Sequence, residues 1–385
     1  MERPIDDAER RARLGRRHAL AAPMATAEEA AAAVVALHAS DPVTVHLSAA
    51  ARTGAGDVGD AERALYDDRT LVRLHTIRRT LWVAPRDLVP ALRVAGAEPL
   101  VVPARRKLVE ALAARGDIAD PEAWVDAVAD EVVAAVADAG EISAAALGKV
   151  VPALGTKVTY GGGRWATEVT VGSRLLTILG FAGRIVRGRP LGSWVSGQYR
   201  YAPGTTAGEP APAAARAAVV GAYVARFGPV TEADVRWWTG WTATQVRTAL
   251  AAAGAVAVTV DGAPAWVAAD DAEPVAPPAP WVALLPGLDP TTMGWKGRAW
   301  YLGDLGPLLF DRNGNAGPTV WADGRVVGGW AQRPDGTIAV DLRVDVGAEA
   351  RDAVVAAAAR WEAWFAGVVV TPRFRTPLER ELSGS

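Results

Sequence analysis

The chain has no cysteine among its 385 residues. That excludes a disulfide framework and a thiolate metal site. Lysine is scarce beside arginine, and the formal net charge of −2 argues against a protein that coats nucleic acid by bulk charge. It leaves room for a clustered basic face, because phosphate contacts depend on local arginines and lysines. The four histidines are His18, His38, His46 and His75. None forms a His-x-x-x-His pair, so no metal is expected. Nor is there a nucleotide loop: Gly161-Gly162-Gly163-Arg164 lacks the Gly-Lys-Ser/Thr that follows a phosphate-binding spacer, so the three glycines read as a flexible loop. No cofactor is expected. The N-terminus, Met-Glu-Arg-Pro-Ile-Asp-Asp, has no apolar signal region, and no apolar run reaches the length of a membrane span. A cytoplasmic protein that makes no use of a membrane follows as the expectation.

What is present is apolar bulk. Hydrophobic residues make up 50% of the chain, which excludes disorder, and the length supports roughly two to four domains. The chain turns on the stretch Val34-Val35-Ala36-Leu37-His38-Ala39-Ser40-Asp41-Pro42. Thr26 and Glu29 read as a capping box, and the alanines after them predict a helix over 27–38. Pro42 biases Asp41 out of the helical region and starts a second helix. His38, Ser40 and Asp41 therefore crowd a short helix-to-helix corner. Three polar groups at such a corner are caps or a site.

Before the corner, residues 7–20 read as an arginine-rich helix, either a solvated face or an arm along phosphates. After it, helices over 42–53 and 60–67 are followed by strand-like runs at Leu71–Leu74 and Thr80–Ala84. Three short helices and a two-stranded ribbon are the plan of a winged helix, in which a helix enters a DNA groove and the wing touches the backbone. Helices are expected over 87–95, 99–115 and 121–138. Another is capped by Ser143 and runs to Leu154, and a further one starts at Val171. Ile185–Arg187 and Trp194–Ser196 read as a second wing, with Arg174, Arg184, Arg187 and Arg189 making the most basic neighbourhood.

A linker at 203–212 leads to the clearest pattern. Helices at 213–227, 232–239 and 243–253 precede strands at 256–260 and 265–268 around Asp261-Gly262, a third winged helix. Gln245, Arg247 and Thr248 are placed to face a groove. Beyond a proline-rich linker at 272–280, short strands at 281–285, 299–302, 319–321, 325–330 and 338–340 suggest a small barrel or half-barrel. A helix at 347–365 packs on it through Val354, Ala358, Trp361 and Phe365. The expected fold is α+β: winged-helix modules at 1–90, 91–203 and 204–271, then a barrel-like domain at 281–385.

The corner resembles the active-site signature of the winged-helix DNA glycosylases of the AlkZ/YcaQ type. There a Gln-apolar-Gln or Gln-apolar-Asp triplet follows a Leu and often precedes Asp-Pro. Here Leu37 precedes His38-Ala39-Ser40 and then Asp41-Pro42, so the frame matches and the catalytic letters differ. Arg78-Arg79-Thr80-Leu81-Trp82 resembles the family's Arg-Gly-Thr-Leu-His, with Arg79 at the Gly position and Trp82 at the His position; packing alone also explains Trp82. Leu285-Pro286-x-x-Asp289-Pro290 and Gly314–Trp321 resemble the family's C-terminal region.

The resemblance implies a monofunctional enzyme that removes alkylated purines from double-stranded DNA, some relatives acting on bulky adducts or crosslinks left by genotoxins. N7-alkylguanine is cationic and leaves as a neutral base, so the enzyme need only stabilise a sugar cation and position a water. General-base help is typically worth ~10²–10⁴-fold. His38, Ser40 and Asp41 are the catalytic candidates; as alternatives, His38 is a hydrogen-bonded structural residue and Asp41 an N-cap. DNA contacts are expected from Arg52, Arg78, Arg79, Arg174, Arg184, Arg187, Gln245, Arg247, Arg312 and Asn313, the last two on a hairpin tip at 311–315. A monomer is expected. The alternative reading is a winged-helix DNA-binding protein or transcriptional regulator without enzymatic activity; a third is a small-molecule binder using the tryptophan-rich barrel.

Overall fold

The corner is built differently from the expected helix-to-helix junction. In the computed structural model, which describes residues 2–54, 56–161, 163, 166–204 and 208–384, Thr26 and Glu29 form the capping box. The helix they start, Ala27–Ala32, ends well before His38. Val35 takes a left-handed turn (φ 68°), and Leu37–His38 leaves as a short strand. The β-branched pair Val34-Val35 is a poor helix continuation, and the chain gains more by pairing Leu37 with Val83 and His38 with Trp82. Asp41 then caps the helix Pro42–Thr53 by accepting the Val43 N–H.

A single element order recurs three times: helix, strand, two helices, and two strands, the first strand pairing with the last. In the first unit, Leu37–His38 lies beside Leu81–Pro85, which pairs with Leu71–His75. In the second, Ile142–Ser143 lies beside Tyr199–Pro203, which pairs with Ile185–Pro190. In the third, a bridge from Val230 to Trp266 takes the place of the first strand, next to the hairpin Val256–Val260 and Ala263–Val267. Capping boxes at Thr231/Asp234 and Thr242/Gln245 start the two helices of that unit, and Gly240 in the left-handed region ends the first.

The second unit departs from expectation in two places. A hairpin, Lys157–Tyr160 with Thr167–Thr170, flanks the glycine-rich stretch, of which Gly162 and Arg164 lie outside the described residues. The strand that pairs with Ile185–Pro190 in this unit is Tyr199–Pro203 and not Trp194–Ser196. Trp194 instead packs edge-on against His46 and Trp364, each 5.4 Å away.

The C-terminal region is an antiparallel sheet of four strands in chain order: Val282–Leu285, Thr319–Ala322, Arg325–Gln332 and Ile338–Leu342. The helix Gly347–Phe365 crosses it, burying Val354, Ala358, Trp361 and Phe365. The expected strand at 299–302 is a turn of helix, Ala299–Leu302. The arginine-rich N-terminal helix, Asp7–Arg17, is neither solvated nor free to follow DNA. Arg13 is 1% exposed and pairs with Glu9 and Asp271, and Arg10 lies 4.2 Å over the Trp300 ring. One apolar core runs through the first unit, the third unit and the C-terminal region, while the second unit has its own.

Candidate active site

The corner opens into a cleft of about 270 Å³ where the first unit, the second unit and the C-terminal tail meet. Ala39, Ser40 and Pro42 form its floor, His75, Thr80 and Leu81 one side. Its cations are Arg79 from the turn between the first unit's strands, Arg187 from the second unit, and Arg373 from the tail. No carboxylate lines it. Arg373 also ties the tail to the corner: its amide donates to Asp41 Oδ2 (2.7 Å) and its Nη1 to the Ser40 carbonyl (3.1 Å).

The three corner candidates separate. Ser40 lines the cleft, and its hydroxyl has no hydrogen-bond partner among the described residues. His38 sits behind the floor. It is 5% exposed, edge-on to Trp82 (4.7 Å), and its Nδ1 accepts the Ser40 N–H (3.4 Å), which leaves the ring proton on Nε2. Burial, and then the charge of Arg78, hold its pKa down to about 3. His38 is not among the residues that line the cleft, so the groove-facing imidazole expected at this position is not found there. Asp41 is likewise corrected. It is buried, and its two oxygens accept the Val43 and Arg373 amides, the arrangement of an N-cap and a strap anchor. Burial raises its pKa, against the lowering pull of those amides.

Arg52 is corrected as a DNA contact. It is fully buried, and its two Nη atoms reach the two oxygens of Asp289 at 2.9 and 2.8 Å. Ser48 Oγ and the Thr291 amide also donate to Asp289, and Arg52 Nη2 donates to Thr291 Oγ1. Thr291 Oγ1 in turn meets His18 Nδ1, 2.9 Å away. Burial pushes the Asp289 carboxyl up, but Arg52, Ser48 and the Thr291 amide together outweigh it and leave the pKa below its ordinary value. The Leu285-Pro286-x-x-Asp289-Pro290 motif thus fastens the first unit to the sheet.

Arg78 and Arg79 are exposed and both left-handed (φ 50° and 65°). Such a conformation costs about 1–2 kcal/mol for a residue with a Cβ, and the second of them is the position where the family segment has Gly. Arg78 stacks over Trp237 (4.3 Å). Arg298 lies over Trp237 and Phe310 (4.8 and 4.6 Å) and carries the cationic path to the hairpin tip. There Asp311 accepts the Asn313 and Asn315 amides, holding Arg312 and Asn313 outward and exposed. Arg174 sits over Tyr160 (4.5 Å) in a second hollow of about 250 Å³ that shares Arg79 with the cleft. The remaining three are engaged elsewhere. Arg184 pairs with Asp130 (2.8 Å), Arg247 pairs with Glu232 (3.2 Å), and the Gln245 side chain closes a helix cap.

His75 was not a sequence candidate. It lines the cleft, neither ring nitrogen has a hydrogen-bond partner among the described residues, and burial, then the charge of Arg187, lowers its pKa to about 4. Only its position in an alternating strand, opposite the left-handed turn, could have flagged it. Tyr199 and Arg373 were missed because they reach the cleft from far along the chain. Among the described residues, no group of three or more His, Asp or Glu could hold a metal ion, and no helix is long and apolar enough to cross a membrane.

A family model described as DNA glycosylase AlkZ-like matches residues 31–364, from before the corner to the helix over the sheet. The protein is a DNA glycosylase, and its substrate is DNA. More particularly, the chain belongs to the AlkZ-like family. Among solved structures it is similar to the Streptomyces sahachiroi DNA glycosylase AlkZ, at 20% identity and a TM-score of 0.71, over 94% of this chain and 97% of that one. A search of curated proteins finds no match.

Proposed function

We propose that the protein excises alkylated purines, of the N7-alkylguanine type, from double-stranded DNA by hydrolysing the N-glycosidic bond in the corner cleft. The observation that carries this reading is the pairing of two neutral acceptors, the Ser40 hydroxyl and the His75 imidazole, with a rim of three arginines and no carboxylate. The arginines hold backbone phosphates. Ser40 and His75 hold the water, whose proton passes to His75 as its oxygen bonds the sugar carbon and the base leaves with the electrons of the broken bond. A weak base suffices, because the leaving purine is already cationic and departs neutral. His38 keeps Ser40 in place, and Asp41 keeps the tail across the corner.

In this reading the three repeated units are winged helices and the 311–315 tip probes the duplex beside the lesion. The cleft is open on one side, which suits bulky adducts and crosslinks as well as a single methyl group. The test is incubation with a duplex carrying N7-methylguanine, followed by alkaline cleavage at abasic sites and chromatography of released base. Release of free 7-methylguanine supports the proposal; intact DNA at high enzyme concentration refutes it.

A further inference from the structure

A small pocket of about 20 Å³, room for roughly one water-sized particle, adjoins the cleft. It shares His75, Leu81 and Arg187 with the cleft, and Arg73 forms part of its inner wall. Arg73 is 2% exposed, and its Nε and Nη1 have no hydrogen-bond partner. Among the described residues neither Arg73 nor Arg187 makes an ion pair, and both guanidinium groups lie against the Tyr199 ring, at 4.3 and 5.5 Å. No carboxylate lines the pocket. His46, Tyr66 and Tyr199 nearby also keep unpartnered polar atoms, but His46 is held neutral by burial and then by Arg73 itself, so none of them supplies negative charge.

A buried cation without a counter-charge is strongly unfavourable. The same protein pairs its fully buried guanidinium groups, Arg13 and Arg52, with carboxylates. Water in the pocket would satisfy N–H groups without balancing charge, and the space of about 20 Å³ matches a monatomic ion. We propose that the pocket binds one monatomic anion of chloride size, held by Arg73 and Arg187. This inference does not depend on the excision reaction.

The probe is chloride itself, exchanged against gluconate at constant ionic strength on the full chain. Going from about 1 to about 100 mM chloride should raise the wild-type unfolding midpoint by roughly 2 °C. Crystals soaked in bromide should show an anomalous peak in the pocket. Arg73→Met should lose both signals, while Arg73→Lys, which keeps the charge, should retain the chloride response. Should Arg73→Met fail to fold, Arg187→Gln carries the comparison, with a weakened response expected. A wild-type midpoint indifferent to chloride overturns the proposal, whether or not bromide enters the crystal. So does a response that both Arg73→Met and Arg187→Gln leave intact.

Discussion

The first and third units share an element order but are seated on the C-terminal region by different forces. The first is fastened by charge: Arg52 and Asp289 meet in a fully buried, two-pronged ion pair. The third is fastened by rings. Tyr223 stacks on Phe227 and Trp238 (4.9 and 4.4 Å) and donates to the Gly294 carbonyl, and Trp295 Nε1 donates to the Phe227 carbonyl. Their turns differ in the same sense. The third unit ends its hairpin in Asp261-Gly262, and residue 4 bridges onto that hairpin. The first ends its ribbon in two strained arginines, of which Arg79 lines the cleft and Arg78 stacks over Trp237. A repeated architecture thus supplies a scaffold in one place and an arginine-rimmed cleft in another. What separates them is which charges are neutralised internally and which are left outward.

The largest test of that contrast is Asp289→Ala. It strands the buried Arg52 guanidinium and should cost about 3–5 kcal/mol in urea unfolding. Arg52→Met with Asp289→Leu should recover most of that loss, since replacing both partners of a buried ion pair by apolar groups is often near neutral.

Acid comes next. His18, His38 and His46 are buried with pKa values held down to about 3, chiefly by burial. Their folded pKa values lie below the unfolded value near 6.5, so their contribution is present above that value and is lost as pH falls toward 3. His75, lowered to about 4, behaves alike, so between pH 6.5 and 5.5 each of the four should cost about 1 kcal/mol, or ~4 kcal/mol together, measured as a shift in unfolding free energy. A flat profile over that range would mean that the rings are not buried neutral.

The smallest stability effect is expected at the turn. Arg79→Gly relieves a left-handed residue and should raise stability by about 0.5–1 kcal/mol. It should also weaken DNA binding and lower the salt slope by about 1, as expected for one lost phosphate contact. A variant both less stable and equally tight in binding would contradict the assignment of strain and contact to the same residue.

Much of the fold was legible because caps, glycine stops and hairpin turns carry local physics. The third unit's helices and hairpin, the strands around 319–340 and the helix over them were all readable in this way. Short apolar runs were not: Ala-Trp-Tyr-Leu at 299–302 is too brief to distinguish a period of two from one of 3.6, and it is a helical turn. Trp194 looked like a strand residue because aromatic burial was the only visible signal, and its burial comes from His46 and Trp364. At the site, the corner was visible as a cluster of polar letters. Whether each letter faced in or out was not, since the strand at Leu37–His38 turned His38 inward and left Ser40 in the cleft. Arg52 misled for the same reason: its partner, Asp289, lies far along the chain, and only tertiary structure brings the two together. His75 and Arg373 join the cleft through pairing and a tail crossing that no local pattern announces.

The account rests on the corner cleft being the place of base removal, with His75 taking the proton of a water held at Ser40. Single-turnover release of 7-methylguanine from a duplex, measured for the wild type and His75→Ala beside DNA binding by anisotropy, tests it most directly. Base release by the wild type, a fall of about 10²-fold or more in the variant, and binding within a few-fold are expected. Wild-type release with an unchanged rate in His75→Ala would contradict it.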